Sequence, residues 1–102
     1  MTEHIETLVE IITDFIRGKK IKELQDFAAD INSADIADIM QELDSEQRVV
    51  LFKALPKDLA ADVFSYLTPE LTEELVSSLS DPELGTIVDE LFLDDAADMV
   101  EE

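Results

Sequence analysis

Leucine recurs every twelve residues through most of this 102-residue chain, at Leu43, Leu55, Leu67, Leu79 and Leu91. Cutting the sequence after each leucine gives five full units from residue 32 to residue 91, followed by the incomplete unit FLDDAADMVEE. Such a period is typical of repeat architectures, in which each unit is one small element that its neighbours must cover. The sequence therefore predicts a stack of similar elements.

Each unit has the pattern of one short helix followed by a turn. The apolar positions are mainly the fifth, eighth, ninth and twelfth, as in Ile36, Ile39, Met40 and Leu43. At about 100° per residue these positions form one helical stripe. Unit starts such as Thr68 and Pro69 favour helix initiation. A helix of about ten residues is marginal alone, so we expect consecutive units to pair as hairpins within a stack.

The first 30 residues predict two capping helices. One spans the apolar positions from Ile5 to Ile16 and should end at Arg17 and Gly18, and the other should cover 20–29. Its inward residues are expected to be Ile21, Leu24, Phe27 and Ala28. The prediction is a single all-α domain over 1–102, with capping helices in 1–30 and repeats in 32–102. It should form an armadillo-like superhelical stack of about eight helices.

The aromatic residues and the second glycine of the repeats also have expected structural roles. Phe52, Phe64 and Tyr66 lie in or beside the apolar stripe, so they should belong to the core. Gly85 stands in the middle of a unit, where glycine costs a helix about 1 kcal/mol. We therefore expect Gly85 to permit a close approach between two helices.

Charge is the most unusual bulk property of the chain. It contains 26 acids and 7 bases, for a net charge of -19, so a nucleic-acid partner is not expected. Residues 58–102 contain fourteen acids and no Lys or Arg. This segment is either a solubilising surface or a surface that cations or a basic partner neutralise. The absence of cysteine and of a long apolar run favours a soluble fragment in the cytosol.

The third and seventh positions of a unit lie opposite the apolar stripe, one turn apart. Acids occupy both positions in three units, as Asp58 with Asp62, Glu70 with Glu74, and Asp94 with Asp98. Carboxylates one turn apart suit a hard divalent cation, and magnesium fits better than calcium because it needs only one or two carboxylates. The alternative is an ordinary solvated helix face. His4 is isolated, and no nucleophile or phosphate-loop motif is present, so an enzyme is not expected.

The run ADIADIMQELDSEQRVVLFKALPKDLAADVF and the later LDDAADMVEE resemble the N-terminal cytosolic domain of the MgtE family of magnesium transporters. The likeness covers 30–102. It implies a magnesium-sensing regulatory domain on the cytosolic side of the cell membrane. In such a transporter the domain precedes a pair of CBS domains, a connecting helix and a homodimeric pore, all absent from this chain.

The resemblance also implies a site and its partners. The family's ion-contacting acids correspond to Asp62 in AADVF and to Asp94 and Asp98 in LDDAAD. Magnesium held between these acids and the CBS region would close the pore, and the fragment alone would bind the ion weakly. Asp58, Asp95, Glu70 and Glu74 belong to the same acidic surface without being expected ligands.

Two other functions are compatible with the residues. One is a helical protein-interaction scaffold, similar to the middle domain of the flagellar motor switch protein. Those domains usually carry a Glu-His-Pro-Gln type surface motif, and this sequence has none. The other is an acidic mimic that occupies a basic surface on a partner protein, with the repeat serving only as support.

Overall fold

The computed structural model describes residues 2–90, and seven helices make up this part of the chain. The helices are α1 (Thr2–Arg17), α2 (Ile21–Ala29), α3 (Ser33–Glu42), α4 (Ser45–Ala54), α5 (Lys57–Tyr66), α6 (Pro69–Leu79) and α7 (82–90). No strand occurs within 2–90, which confirms the all-α prediction. The helix expected from the last unit lies outside the described residues.

The two capping helices lie where the sequence predicts them, although α2 begins one residue later than expected, at Ile21. At the end of α1 the Lys20 amide donates to the Phe15 carbonyl at 2.8 Å, and the Lys19 amide donates to the Ile16 carbonyl at 3.1 Å. These two bonds form a Schellman cap. The left-handed residue of this cap is Lys19, with φ 59°, whereas Gly18 does not take a positive φ.

Helices α3 to α6 each have their N-cap at the first residue of a unit. The Asn32 side chain accepts from the Ala34 amide at 2.8 Å, and Asp44 accepts from the Gln47 amide at 2.8 Å within a capping box. Three of these helices end at an extended leucine, namely Leu43, Leu55 and Leu67. The twelve-residue period thus corresponds to one ten-residue helix and its two junction residues.

The main helix contacts join each helix to the next but one. They are α1 with α3, α2 with α4, α3 with α5 and α4 with α6, and α1 also packs on α2 and α4. The predicted hairpins of consecutive units are therefore wrong as the principal packing. Extended cap residues turn the chain sharply at each junction, so consecutive repeat helices share little surface. The result is a superhelical stack with extents of 41 × 27 × 24 Å.

The core is densest at α4 and thins towards the C-terminal helices. In α4 the buried residues are Arg48, Val49, Val50, Leu51 and Ala54, because this helix packs against α1, α2 and α6. In α5, α6 and α7 the fully buried side chains are Val63, Leu75 and Val88, one in each helix. Within residues 2–90, α5, α6 and α7 therefore each have fewer buried residues than α4.

Whether a side chain is buried depends on its distance from the N-cap of its helix more than on its position in the twelve-residue unit. The residue seven positions after the N-cap is fully buried in α3 to α6, as Ile39, Leu51, Val63 and Leu75. In α7 the capping residue is Asp81, whose side chain accepts from the Glu83 amide at 3.0 Å. Asp81 is the second residue of its unit, so Val88 becomes buried and Ile87 exposed.

This one-residue shift also changes the end of α6. Leu79 lies in the last helical turn, and Ser80 takes the C-cap in a helical conformation. The equivalent leucines of the earlier units are extended and buried, whereas Leu79 is exposed. The prediction of a uniform apolar stripe is therefore wrong at Leu79 and Ile87. It is also wrong at Val76, although α6 begins in register with its unit.

Two further expectations about single residues are wrong. Tyr66 is exposed, since the eleventh position of a unit lies off the stripe, although Phe52 and Phe64 pack on the core with ring centroids 6.1 Å apart. Gly85 makes no close helix contact, because an added Cβ would meet nothing within 4 Å. The glycine is therefore not required for packing.

Candidate cation-binding surface

The acidic pairs that the structure describes lie on the solvent face, as the repeat predicts. Asp58 and Asp62 are exposed on α5, and Glu70 and Glu74 are exposed on α6. Each pair stands one helical turn apart, because both residues of a pair belong to the same continuous helix. The two pairs therefore present carboxylates to water and not to the core.

Asp62 is the one predicted ion ligand within the described residues. Its carboxylate is exposed one residue before the buried Val63, and its backbone carbonyl accepts the Ser65 hydroxyl at 2.7 Å. The side chain is thus anchored by a well-packed neighbour and remains available to an ion or a partner. Asp94 and Asp98, the other two predicted ligands, lie outside the described residues.

Glu74 differs from the other acids because a buried arginine binds it. Arg48 Nη1 donates to Glu74 Oε1 at 2.7 Å, and the glutamate side chain is 57% exposed. On its inner side the same guanidinium donates from Nε to the Met40 carbonyl at 2.9 Å and from Nη2 to the Leu43 carbonyl. Arg48 therefore joins the end of α3 and the middle of α6 to α4.

A second base on α4 reaches the last described helix. Lys53 Nζ lies 3.2 Å from Asp89 Oδ1 on α7, with both side chains largely in water. Screening by water and salt makes such a pair worth less than about 1 kcal/mol. Two acids of the base-free segment are thus partly neutralised by α4, and Asp62 is not among them.

An open groove of about 620 Å³ runs beside α6. It is lined by Thr68, Glu70, Leu71, Glu73, Glu74 and Ser77. Glu70 and Glu73 give the groove a negative potential, whereas the charge of Glu74 is partly compensated by Arg48. Its wide opening lets water screen this charge, so the groove does not enclose an ion.

Within residues 2–90 no group of three or more His, Asp or Glu side chains is arranged to hold a metal ion. The exposed His4 lies beside a separate depression that includes Phe27, Asp30 and Asp35. Magnesium prefers about six oxygen ligands and keeps several waters. Asp62 fits such an ion as one carboxylate ligand, and the described residues do not complete its shell.

The residue of this surface whose contacts sequence reasoning missed is Arg48, the buried base that binds Glu74. It occupies the fifth position of its unit, where Ile36 and Leu84 stand in other units. A base at an apolar stripe position signals a buried charge whose partners must come from neighbouring elements. The sequence contained that signal, but its partners depend on the next-but-one packing.

None of the helices within 2–90 combines the length and the apolar composition that membrane crossing requires.

Comparison with known proteins identifies the family. The family model of the MgtE intracellular N domain matches residues 31–102, which agrees with the likeness read from the sequence. No curated protein and no solved structure matches the chain. The match covers α3 to α7 and leaves α1 and α2 outside it. Because it spans more than half of the chain, the protein belongs to the MgtE family of magnesium transporters and contains its intracellular N domain.

Proposed function

We propose that this chain is the magnesium-sensing regulatory domain of a magnesium transporter, located on the cytosolic side of the membrane. Its acidic surface would face the CBS domain pair of the same transporter, and divalent cations would lie between the two. Asp62, Asp94 and Asp98 are the proposed ligands on this side. The proposed ligand set extends the family assignment to named residues.

The observation that carries this proposal is the incomplete character of the site. Asp62 is exposed, and the chain contains no Lys or Arg from residue 58 onwards. The described residues do not form a closed metal site. An acid in this setting binds a cation weakly alone. A second acidic surface that approached it would supply further oxygens, but only with a cation present.

Electrostatic repulsion gives the surface its regulatory effect. Acids on two facing domains repel, so the domains separate when no cation neutralises them. A bound divalent cation supplies two positive charges and accepts oxygens from both sides. Because the cation prefers the closed assembly, its concentration shifts the population towards that state, and several weak sites would make the response steep.

Limited proteolysis tests this proposal by comparing the present chain with one extended through the CBS pair. We expect magnesium to protect the extended chain against cleavage and to leave the short chain unchanged. Asp62→Asn should weaken the protection, whereas Asp58→Asn, one turn earlier on the same exposed face, should not. Equal protection of both chains, or of both variants, would contradict bridging through Asp62.

A further inference from the structure

The next-but-one packing arranges the first six helices in two rows. One row contains α1, α3 and α5, and the other contains α2, α4 and α6. Helix α1 also packs on α2 and α4, so it joins the two rows at the N-terminal end of the stack. Further along the stack the main contacts run within each row. Side-chain interactions between the rows are therefore important for holding α5 and α6 in a fixed arrangement.

Arg48 on α4 makes such an interaction between the rows. Its guanidinium donates to the Met40 carbonyl in α3 and to the carbonyl of Leu43, the C-cap of α3. The remaining nitrogen, Nη1, donates to Glu74 Oε1 on α6 at 2.7 Å. The arginine side chain is only 8% exposed, so water competes little for these bonds. Because the guanidinium is a rigid planar fork with all three nitrogens engaged, it ties α6 to the end of α3.

The helices that this arginine joins are connected to the acids of the proposed site. Helix α5, which carries Asp62, packs against α3 within its row. Helix α6 carries Glu70 and Glu74, and in the chain it lies between Asp62 and the other two proposed ligands, Asp94 and Asp98. A bond that holds α6 against the end of α3 thus also limits how far α6 can move relative to Asp62.

We infer that Arg48 is a positioning residue of the cation-binding surface, because it holds α6 in a fixed place relative to Asp62 on α5. The inference rests on the proposed function and adds to it a residue that does not touch the ion. A surface that is already arranged loses less conformational entropy when a cation and a partner domain bind it. Breaking the bond between Arg48 and Glu74 should therefore weaken magnesium bridging while every proposed ligand remains present.

Glu74→Ala and Glu70→Ala form a matched pair of variants. Each removes one exposed acid from α6, so the two changes lower the negative charge of this helix equally. Of the two glutamates, Glu74 is the one that accepts a hydrogen bond from Arg48. Neither side chain is part of the buried core, so both variants should fold, and circular dichroism with a urea titration checks this. A difference between them reports the arginine contact and not the loss of charge.

Spin labels on α5 and α6 measure the arrangement of the two helices directly in the present chain without magnesium. The chain contains no cysteine, so Ala61→Cys and Val76→Cys place labels at these two exposed positions alone. We expect Glu74→Ala to shift or broaden the distribution of distances between the labels, and Glu70→Ala to leave it unchanged. Double electron–electron resonance provides the distribution. The same distribution in both glutamate variants would overturn the inference.

Limited proteolysis of the chain extended through the CBS pair measures the effect on magnesium bridging. Relative to Glu70→Ala, Glu74→Ala should raise the magnesium concentration that gives half of the protection by about threefold or more. Ile12→Ala is the control for stability, because Ile12 is fully buried in α1, whose main contacts are with α2, α3 and α4. This control should lower the urea midpoint without changing the half-protection concentration.

The outcomes separate the failure of this inference from the failure of the proposed function. If magnesium does not protect the unchanged extended chain, the proposed function fails, and the label distances still decide whether Arg48 positions α6. If magnesium protects that chain and the Glu74 and Glu70 variants share one half-protection concentration, the proposed function stands and the inference fails. An equal shift in the Glu74 variant and in Ile12→Ala would also overturn the inference, because it would show a loss of stability and not of positioning.

Discussion

Helix α4 and the pair α6 and α7 come from the same twelve-residue repeat, yet the stack treats them differently. In α4 five of ten residues are buried, including an arginine, because three other helices pack around it. In α6 and α7 one side chain each is fully buried, and several apolar side chains face water. Position in the stack, more than the repeat sequence, thus decides how much of each unit becomes core.

The charges follow the same division. The bases of the repeats are Arg48, Lys53 and Lys57, on or immediately after α4, and the acids beyond them have no base in their own segment. Beyond Lys57 the C-terminal helices thus carry acids and no base, whereas α4 supplies more of the core.

The largest expected effect is a contrast between two eighth-position residues. Leu51→Ala in α4 should lower the free energy of unfolding by about 2 to 5 kcal/mol, because it leaves a cavity in the densest core. Ile87→Ala in α7 should cost less than about 1 kcal/mol, because that side chain is half exposed. Urea unfolding monitored by circular dichroism measures both. Similar losses would show that the two regions are equally packed.

A smaller effect is expected for the interactions of Arg48, whose guanidinium binds two backbone carbonyls on its inner side and Glu74 on its outer side. Arg48→Met should lower the free energy of unfolding by about 2 to 3 kcal/mol, because the Leu43 carbonyl loses its arginine donor and the Met40 carbonyl keeps only the Leu43 amide. Glu74→Gln should cost less than about 1 kcal/mol, because that side chain remains in water. Denaturation midpoints provide the comparison. If Glu74→Gln were the more damaging change, the surface pair and not the carbonyl contacts would hold α4 in place.

The smallest effect is a gain in stability in the C-terminal region. Gly85→Ala should raise the free energy of unfolding by about 0.5 to 1 kcal/mol, because the added methyl meets no neighbour and restricts the unfolded chain. Ala61→Gly, at an exposed position of α5, should lower it by about the same amount. Melting temperatures of the two variants should move in opposite directions. A loss on Gly85→Ala would show that α7 packs more closely than its open surroundings indicate.

Helix positions could be predicted from the sequence because they depend on local chemistry. Caps such as Asn32, Asp44 and Thr68 begin helices where the repeat indicates, and the solvent-facing positions of Asp62 and Glu74 follow from the helical period. These features need only a few neighbouring residues. They are therefore visible in a single sequence.

Packing between helices could not be predicted in the same way. The interaction of Arg48 with Glu74 joins residues 26 positions apart, and it depends on next-but-one contacts that no local pattern specifies. The exposure of Leu79 results from a cap that moves by one residue, to Asp81, among several residues able to begin a helix. The site itself remains a prediction at Asp94 and Asp98, which lie outside the described residues.

The most direct test of the magnesium-sensing proposal is the magnesium dependence of ion flux through a transporter that carries this domain. Asp62, Asp94 and Asp98 would be changed together to asparagine, and Asp58→Asn would serve as the control on the same face of α5. We predict that the triple variant continues to conduct at magnesium concentrations that close the unchanged transporter, while the control closes normally. Closure of the triple variant at the same magnesium concentration as the unchanged transporter would contradict the proposed role of this acidic surface.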